Sequence, residues 1–240
     1  METAASQKND KMAYILNIIA AMLLLNMAIA DAGAFNNEAT LHVPIKKASA
    51  SNAPEGWGIT EWKGRAEFEV IETEIGSTLH LKSSSTSTAL YKDMSFDIKE
   101  YPALNWKWKV ERLPHGADAR RGATDDQALQ LYVIFPRWPA AVNSRVIGYI
   151  WDTSAPSGAY LSSRKSRNTR YVVVKSGPSE IGRWHQETKD VYADYRRLFS
   201  EDPPKAGRVS VMIDTDDTKG HAESFIGNIF FSKKDVALNK

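Results

Sequence analysis

The chain has 240 residues, 42% of them hydrophobic, enough to bury one sizeable core in a single domain. Its 31 basic and 29 acidic residues leave a formal charge of +2, which gives no electrostatic case for nucleic acid. Cysteine is absent, and that excludes disulfide staples, thiolate catalysis, cysteine metal sites and lipid attachment at a signal-peptide cysteine.

In chain order, the first feature is an export pattern. Lys8 and Lys11 precede the apolar run MAYILNIIAAMLLLNMAIA, and Ala28, Ile29 and Ala30 give the small-residue exit a signal peptidase reads. Asn17 and Asn26 interrupt the run, which argues against an uncleaved anchor. The expected organisation is a signal peptide over 1–30, one domain over 31–232 and a tail over 233–240, in a periplasmic or secreted protein with no stable membrane insertion after cleavage.

Short apolar stretches then alternate with turn residues. Strands are expected at 59–63, 66–72, 77–83, 96–99, 104–111, 127–135, 146–151, 170–175, 208–214 and 224–231, with the Ser/Thr run after Lys82 as a connection. In 104–111, Leu104, Trp106, Trp108 and Val110 share one face, and Asn105, Lys107, Lys109 and Glu111 the other. Exposing the tryptophans would force the lysines inward, at a cost of several kcal/mol per unpaired ion, so the indoles belong to the core. In 127–135 both faces are largely apolar, as in a central strand covered on both sides, with Gln130 and Tyr132 as polar tips. One segment differs: Val191, Tyr192, Tyr195, Leu198 and Phe199 form a helical stripe, with Asp190 as N-cap and Pro203 and Pro204 as a stop. The fold class is therefore an all-β, antiparallel, jelly-roll-like sandwich with one short helix near 190–199.

If 127–135, 146–151, 170–175 and 208–214 pair antiparallel in turn, the loops 112–126, 152–169 and 214–223 meet at one end. That end would collect Trp151, Arg170, Asp125, Asp126 and Asp214 as ligand-binding residues. Three readings of the DTDDT run stay open. Asp214, Asp216 and Asp217 suit a hard cation such as Ca²⁺, although the glycine and distal glutamate of an EF-hand are missing. Asp126 and Asp214 could serve as an acid–base pair on a glycoside. Alternatively the run is turn chemistry and nothing more. The neighbouring basic residues Arg164, Lys165, Arg167 and Arg170 suit either a solvated loop or an acidic glycan or phosphate. The five histidines show no zinc-hydrolase spacing, and no G-x-S-x-G elbow, P-loop or dinucleotide fingerprint occurs.

The motifs LNWKWKV, DDQALQLYVIF, IGYIW, VVVKSG, the stretch from Trp184 to Tyr195, and IDTDDT followed by IGNIFF resemble the bacterial family of domain of unknown function 3047. The resemblance covers nearly the whole chain after the export pattern and implies one exported domain; it brings no activity or catalytic residues. One departure is Ser200, where the family pattern leads us to expect glycine. The expected function is a non-catalytic module binding a glycan or similar polar ligand, with no cofactor unless Ca²⁺ is held. The rivals are a polysaccharide hydrolase or lyase using Asp126 and Asp214, and a structural or assembly protein of the envelope.

Overall fold

The computed structural model describes residues 39–49 and 51–234, so the expected signal peptide lies outside the described residues. Thirteen strands form two sheets: β1 (Thr40–His42), β2 (Gly58–Lys63), β3 (Glu67–Thr73), β4 (Gly76–Ser84), β5 (Ser87–Phe96), β6 (Ala103–Arg112), β7 (Gln127–Phe135), β8 (Arg145–Asp152), β9 (Tyr160–Ser162), β10 (Thr169–Ser176), β11 (His185–Asp190), β12 (Ala206–Asp214) and β13 (His221–Ser232). Among the described residues two helices interrupt them, α1 (Ala140–Asn143) and α2 (Val191–Phe199). A six-stranded sheet runs β11-β6-β13-β4-β3, with β1 added to β13, and a seven-stranded sheet runs β2-β5-β12-β7-β8-β10-β9. The molecule is a jelly-roll-like β-sandwich.

The period-two pattern places the core. Trp106, Trp108 and Val110 point from β6 into the space between the sheets, where they meet Leu129, Leu131 and Val133 of β7. The two indoles are 1% and 0% exposed and meet edge to face at 5.3 Å, so the WKW run is core, as its alternation requires. All nine residues of β7 are buried because its second face is covered as well. That cover comes from the loops 113–126 and 153–159, whose Ala119 and Ala155, with Leu161 of β9, pack against Tyr132, Ile150, Tyr171 and Met212. Asp152 fastens both loops, accepting from the amides of Ala119 at 2.9 Å, Ser154 at 2.6 Å and Ala155 at 2.5 Å.

α2 starts where the sequence predicts. Asp190 accepts from the Ala193 amide at 2.9 Å, and Val191 and Tyr195 are fully buried. Two expectations need correction. The strand expected at 96–99 is the end of β5 and a turn: β5 stops at Phe96, and Asp97 Oδ1 accepts from the Lys99 amide at 2.8 Å. Conversely, only Ser85, at φ 55°, and Thr86 form the expected connection: Ser83 and Ser84 end β4, Ser87 opens β5, and the Ser83, Thr86 and Thr215 hydroxyls are bonded together at the corner.

The third difference decides the site. β8 and β10 are parallel, with Arg170 opposite Ile147. After β8 the chain returns along β9, a three-residue strand at the sheet edge that pairs antiparallel with β10. That return delivers the start of β10 to the end of the sandwich away from Trp151.

Candidate functional site

Asp214 closes β12 opposite Gln127, at the start of β7, while Arg145 opens β8 opposite Phe135, at the end of β7. The two ends of β7 thus mark two chemically different regions.

The first region gathers the carboxylates. Asp126 holds the loop after β12 in shape: its Oδ1 accepts from the Asp217 amide at 3.1 Å, and its Oδ2 from the Thr218 amide at 2.7 Å and hydroxyl at 2.6 Å. Carboxylate oxygens of Asp126, Asp214 and Asp216 lie within 4.8 Å of one another, and all three residues are buried. Asp125 accepts from Gln127 Nε2 at 2.9 Å and from the Tyr171 hydroxyl at 3.4 Å. Lys165 reaches over the sheet into this group, with Nζ 2.5 Å from Asp217 Oδ2 and 3.9 Å from Asp214 Oδ2. Burial would lower the Lys165 ammonium, but Asp214, Asp217 and Asp125 around it raise it overall. Burial pushes Asp125 up to about 6 and Asp214 well above the usual carboxylate range, and Lys165 opposes both shifts.

These placements correct parts of the expected site. Trp151 is 0% exposed and faces the core, 5.7 Å from Trp108 and 5.3 Å from His185, with its Nε1 donating to the Gly177 carbonyl at 3.2 Å. Its ring is unavailable for stacking on a ligand. Arg170 does not join the carboxylates, because the parallel pairing puts it at the other end of the sheet. Asp217 is occupied by Lys165, and Asp126 takes its place beside Asp214 and Asp216. As an acid–base pair, Asp126 and Asp214 have carboxylate oxygens within 4.8 Å of one another, yet they are 0% and 4% exposed. A sugar ring has no route to them.

The second region is basic and open. Arg137, Trp138, Asn143, Arg145, Arg167 and Asn168 line a pocket of about 370 Å³. Trp138 is 90% exposed, the one large hydrophobic side chain left in solvent among the described residues. Asn143 Nδ2 donates to the Trp138 carbonyl at 2.9 Å, and Asn168 Nδ2 donates to the Val142 carbonyl at 2.6 Å, so the two amides fasten the loop beneath the indole. Arg145 Nη1 donates to Asn168 Oδ1 at 3.3 Å. Glu201 pairs with Arg137 and, at 3.4 Å, with Arg145. Among the described residues no carboxylate pairs with Arg167 or Arg170. Arg170 instead lies 5.5 Å from the Phe199 ring, and burial, then the Arg145 charge, lowers its guanidinium. Sequence reasoning assigned Trp138 no role. The signal that could have singled it out is its position in RWP, where no period buries it.

The strand pairing defines a two-sheet β-sandwich of jelly-roll type. The chain belongs to the family described as "Protein of unknown function (DUF3047)", whose model matches residues 55–230. No curated protein matches the sequence. Among solved structures, the family 30 carbohydrate-binding module of a Clostridium thermocellum cellulosomal cellulase is similar at 11% identity and TM-score 0.45, over 77% of this chain and 95% of that one. The family 11 module of a second Clostridium thermocellum cellulase is similar at 7% identity and TM-score 0.42, over 79% and 96%. The xyloglucanase domain of NopAA from Sinorhizobium fredii is similar at 11% and 0.39, over 77% and 100%. These are weak likenesses in the course of the chain, and the fold follows from the strand pairing itself.

Proposed function

We propose that this is an exported, non-catalytic binding module whose ligand is an acidic glycan, held at the basic end of the sandwich. The observation that carries the reading is Trp138, 90% exposed on the rim of a pocket that also presents Arg137, Arg145 and Arg167. A solvated indole loses little entropy on binding and offers a flat apolar face to a sugar ring. Guanidinium forks suit the carboxylate or sulfate of an acidic sugar, and the two asparagines suit its hydroxyls. Glu201 pairs with Arg137 and Arg145 and, among the described residues, leaves Arg167 and Arg170 without a carboxylate, so an anion gains here what a neutral sugar does not. Export rests on the N-terminal charge, apolar run and small-residue exit.

The test is calorimetric titration with matched neutral and uronic-acid oligosaccharides. The acidic series should bind, more weakly at high salt, and Trp138→Ala and Arg167→Ala should each reduce affinity about tenfold. Equal binding of neutral and acidic sugars, or wild-type affinity in both variants, would overturn the assignment.

A further inference from the structure

The buried carboxylates at the other end remain without a role in glycan binding. Asp214 sits between two strands, directly opposite Ser87 of β5 and Gln127 of β7. Directly opposed side chains share a sheet face with their Cβ atoms about 5 Å apart, so Ser87 and Gln127 flank the Asp214 carboxylate. Both residues are 0% exposed, and Ser87 Oγ and Gln127 Oε1 have no hydrogen-bond partner. Asp216 Oδ1 is buried and unpartnered too. Unmet buried oxygens are rare in a folded protein, and each costs about 1–3 kcal/mol unless something fills the gap.

We propose that Asp126, Asp214 and Asp216, flanked by Ser87 Oγ and Gln127 Oε1, bind a hard divalent cation of the Ca²⁺ class. The donor set is all oxygen, which suits calcium and disfavours softer metals. Two oxygens bound to one calcium at about 2.4 Å can be no more than about 4.8 Å apart, and the three carboxylates meet that limit. Asp126 fixes the loop that carries Asp216, so the cage is already shaped by the fold. Lys63, 3.6 Å from Asp216 Oδ2, and Lys165, 3.9 Å from Asp214 Oδ2, approach from the rim and leave Ser87 Oγ and Gln127 Oε1 unpartnered. The cation would join β5, β7, β12 and the covering loop, giving it a structural role remote from Trp138.

The experiment uses the full chain, stripped with a chelator and titrated with CaCl₂ and MgCl₂ in calorimetry and thermal unfolding, without any sugar. Calcium should bind one per chain and raise Tm saturably, by about 5–10 °C at a hundredfold excess over Kd. Magnesium should bind more weakly, since it demands a tighter octahedral shell. Asp216→Asn should weaken calcium binding at least tenfold, and Ser87→Ala should weaken it while leaving the Tm of the stripped protein at or above that of wild type, since it removes an unmet buried oxygen. The surface variant Glu74→Gln should bind as wild type does. No heat and no Tm change with either metal at millimolar concentration would overturn the proposal. So would an Asp216→Asn protein that binds calcium with wild-type affinity. Because no glycan is present, neither result bears on the basic end.

Discussion

Arg170 lies directly across from Ile147 in the one parallel strand pair of the seven-stranded sheet, and so shares an end with Arg145 and Phe199 and not with Trp151. The consequence is a separation of charge. Carboxylates collect around the start of β7 and arginines around its end, each with different access to solvent. The buried acids suit an ion, and the exposed arginines and indole suit a larger anion.

The arginines of the basic end should separate into two kinds. Arg167 is exposed with no carboxylate partner among the described residues, so Arg167→Ala should change stability by less than about 0.5 kcal/mol while cutting affinity for acidic sugars. Arg145 pairs with Glu201 and lies 5.1 Å from the Phe199 ring, so Arg145→Ala should cost about 1 kcal/mol in addition to affinity. Urea unfolding of both variants checks this, and equal losses of stability would contradict it.

Gly148 passes beneath two tyrosines on the covered face. A Cβ there would stand 2.6 Å from Tyr132 Cε1 and 2.9 Å from Tyr171 Cδ1, closer than packed atoms allow. Gly148→Ala should therefore lower stability by about 1–3 kcal/mol and disturb the near-ultraviolet tyrosine signal. An unchanged denaturation midpoint would mean that both rings can move aside freely.

The departure at Ser200 has a backbone meaning. Ser200 ends α2 at φ 56°, ψ 31°, the left-handed region where glycine carries no Cβ penalty. Ser200→Gly should raise stability by about 1 kcal/mol, read as a higher Tm, without altering ligand affinity. A fall in Tm would show that the Ser200 side chain makes up for its strained backbone.

Asp194 should make stability depend on pH. Its carboxylate accepts from Tyr149 at 3.0 Å and Tyr160 at 2.8 Å, yet burial raises it above the usual carboxylate range. A raised folded pKa means the native state holds its proton longer than the unfolded chain does. Its contribution is therefore greatest below about pH 4 and is lost as pH rises through the folded value. Relative to wild type, Asp194→Asn should gain stability progressively from pH 4 to pH 7 in urea titrations. A difference between the two proteins that stays constant over that range would exclude this source of pH dependence.

Several elements were legible from local pattern alone. The alternation in residues 104–111 assigned both tryptophans to the core, and β7 read as doubly covered because apolar residues occupy both of its faces. α2 announced itself by its stripe and its Asp190 cap. Less legible were the short pairings. β1 and β9 have three residues each and cannot show a period, while β11 carries the polar run HQETKD at the sheet edge. The meeting of Asp126 with Asp214 follows from the antiparallel pairing of β7 with β12, the direction the sequence reading assumed. The placement of Arg170 does not, since it depends on the unseen β9 reversing the chain.

What the sequence determined by itself is the sandwich and its interior, because side-chain periodicity is a local property and burial energy enforces it residue by residue. Only the tertiary structure decided which charges meet. Strand direction between distant segments is set by how the chain crosses the sheet, and a single three-residue strand moved an arginine from one end of the molecule to the other.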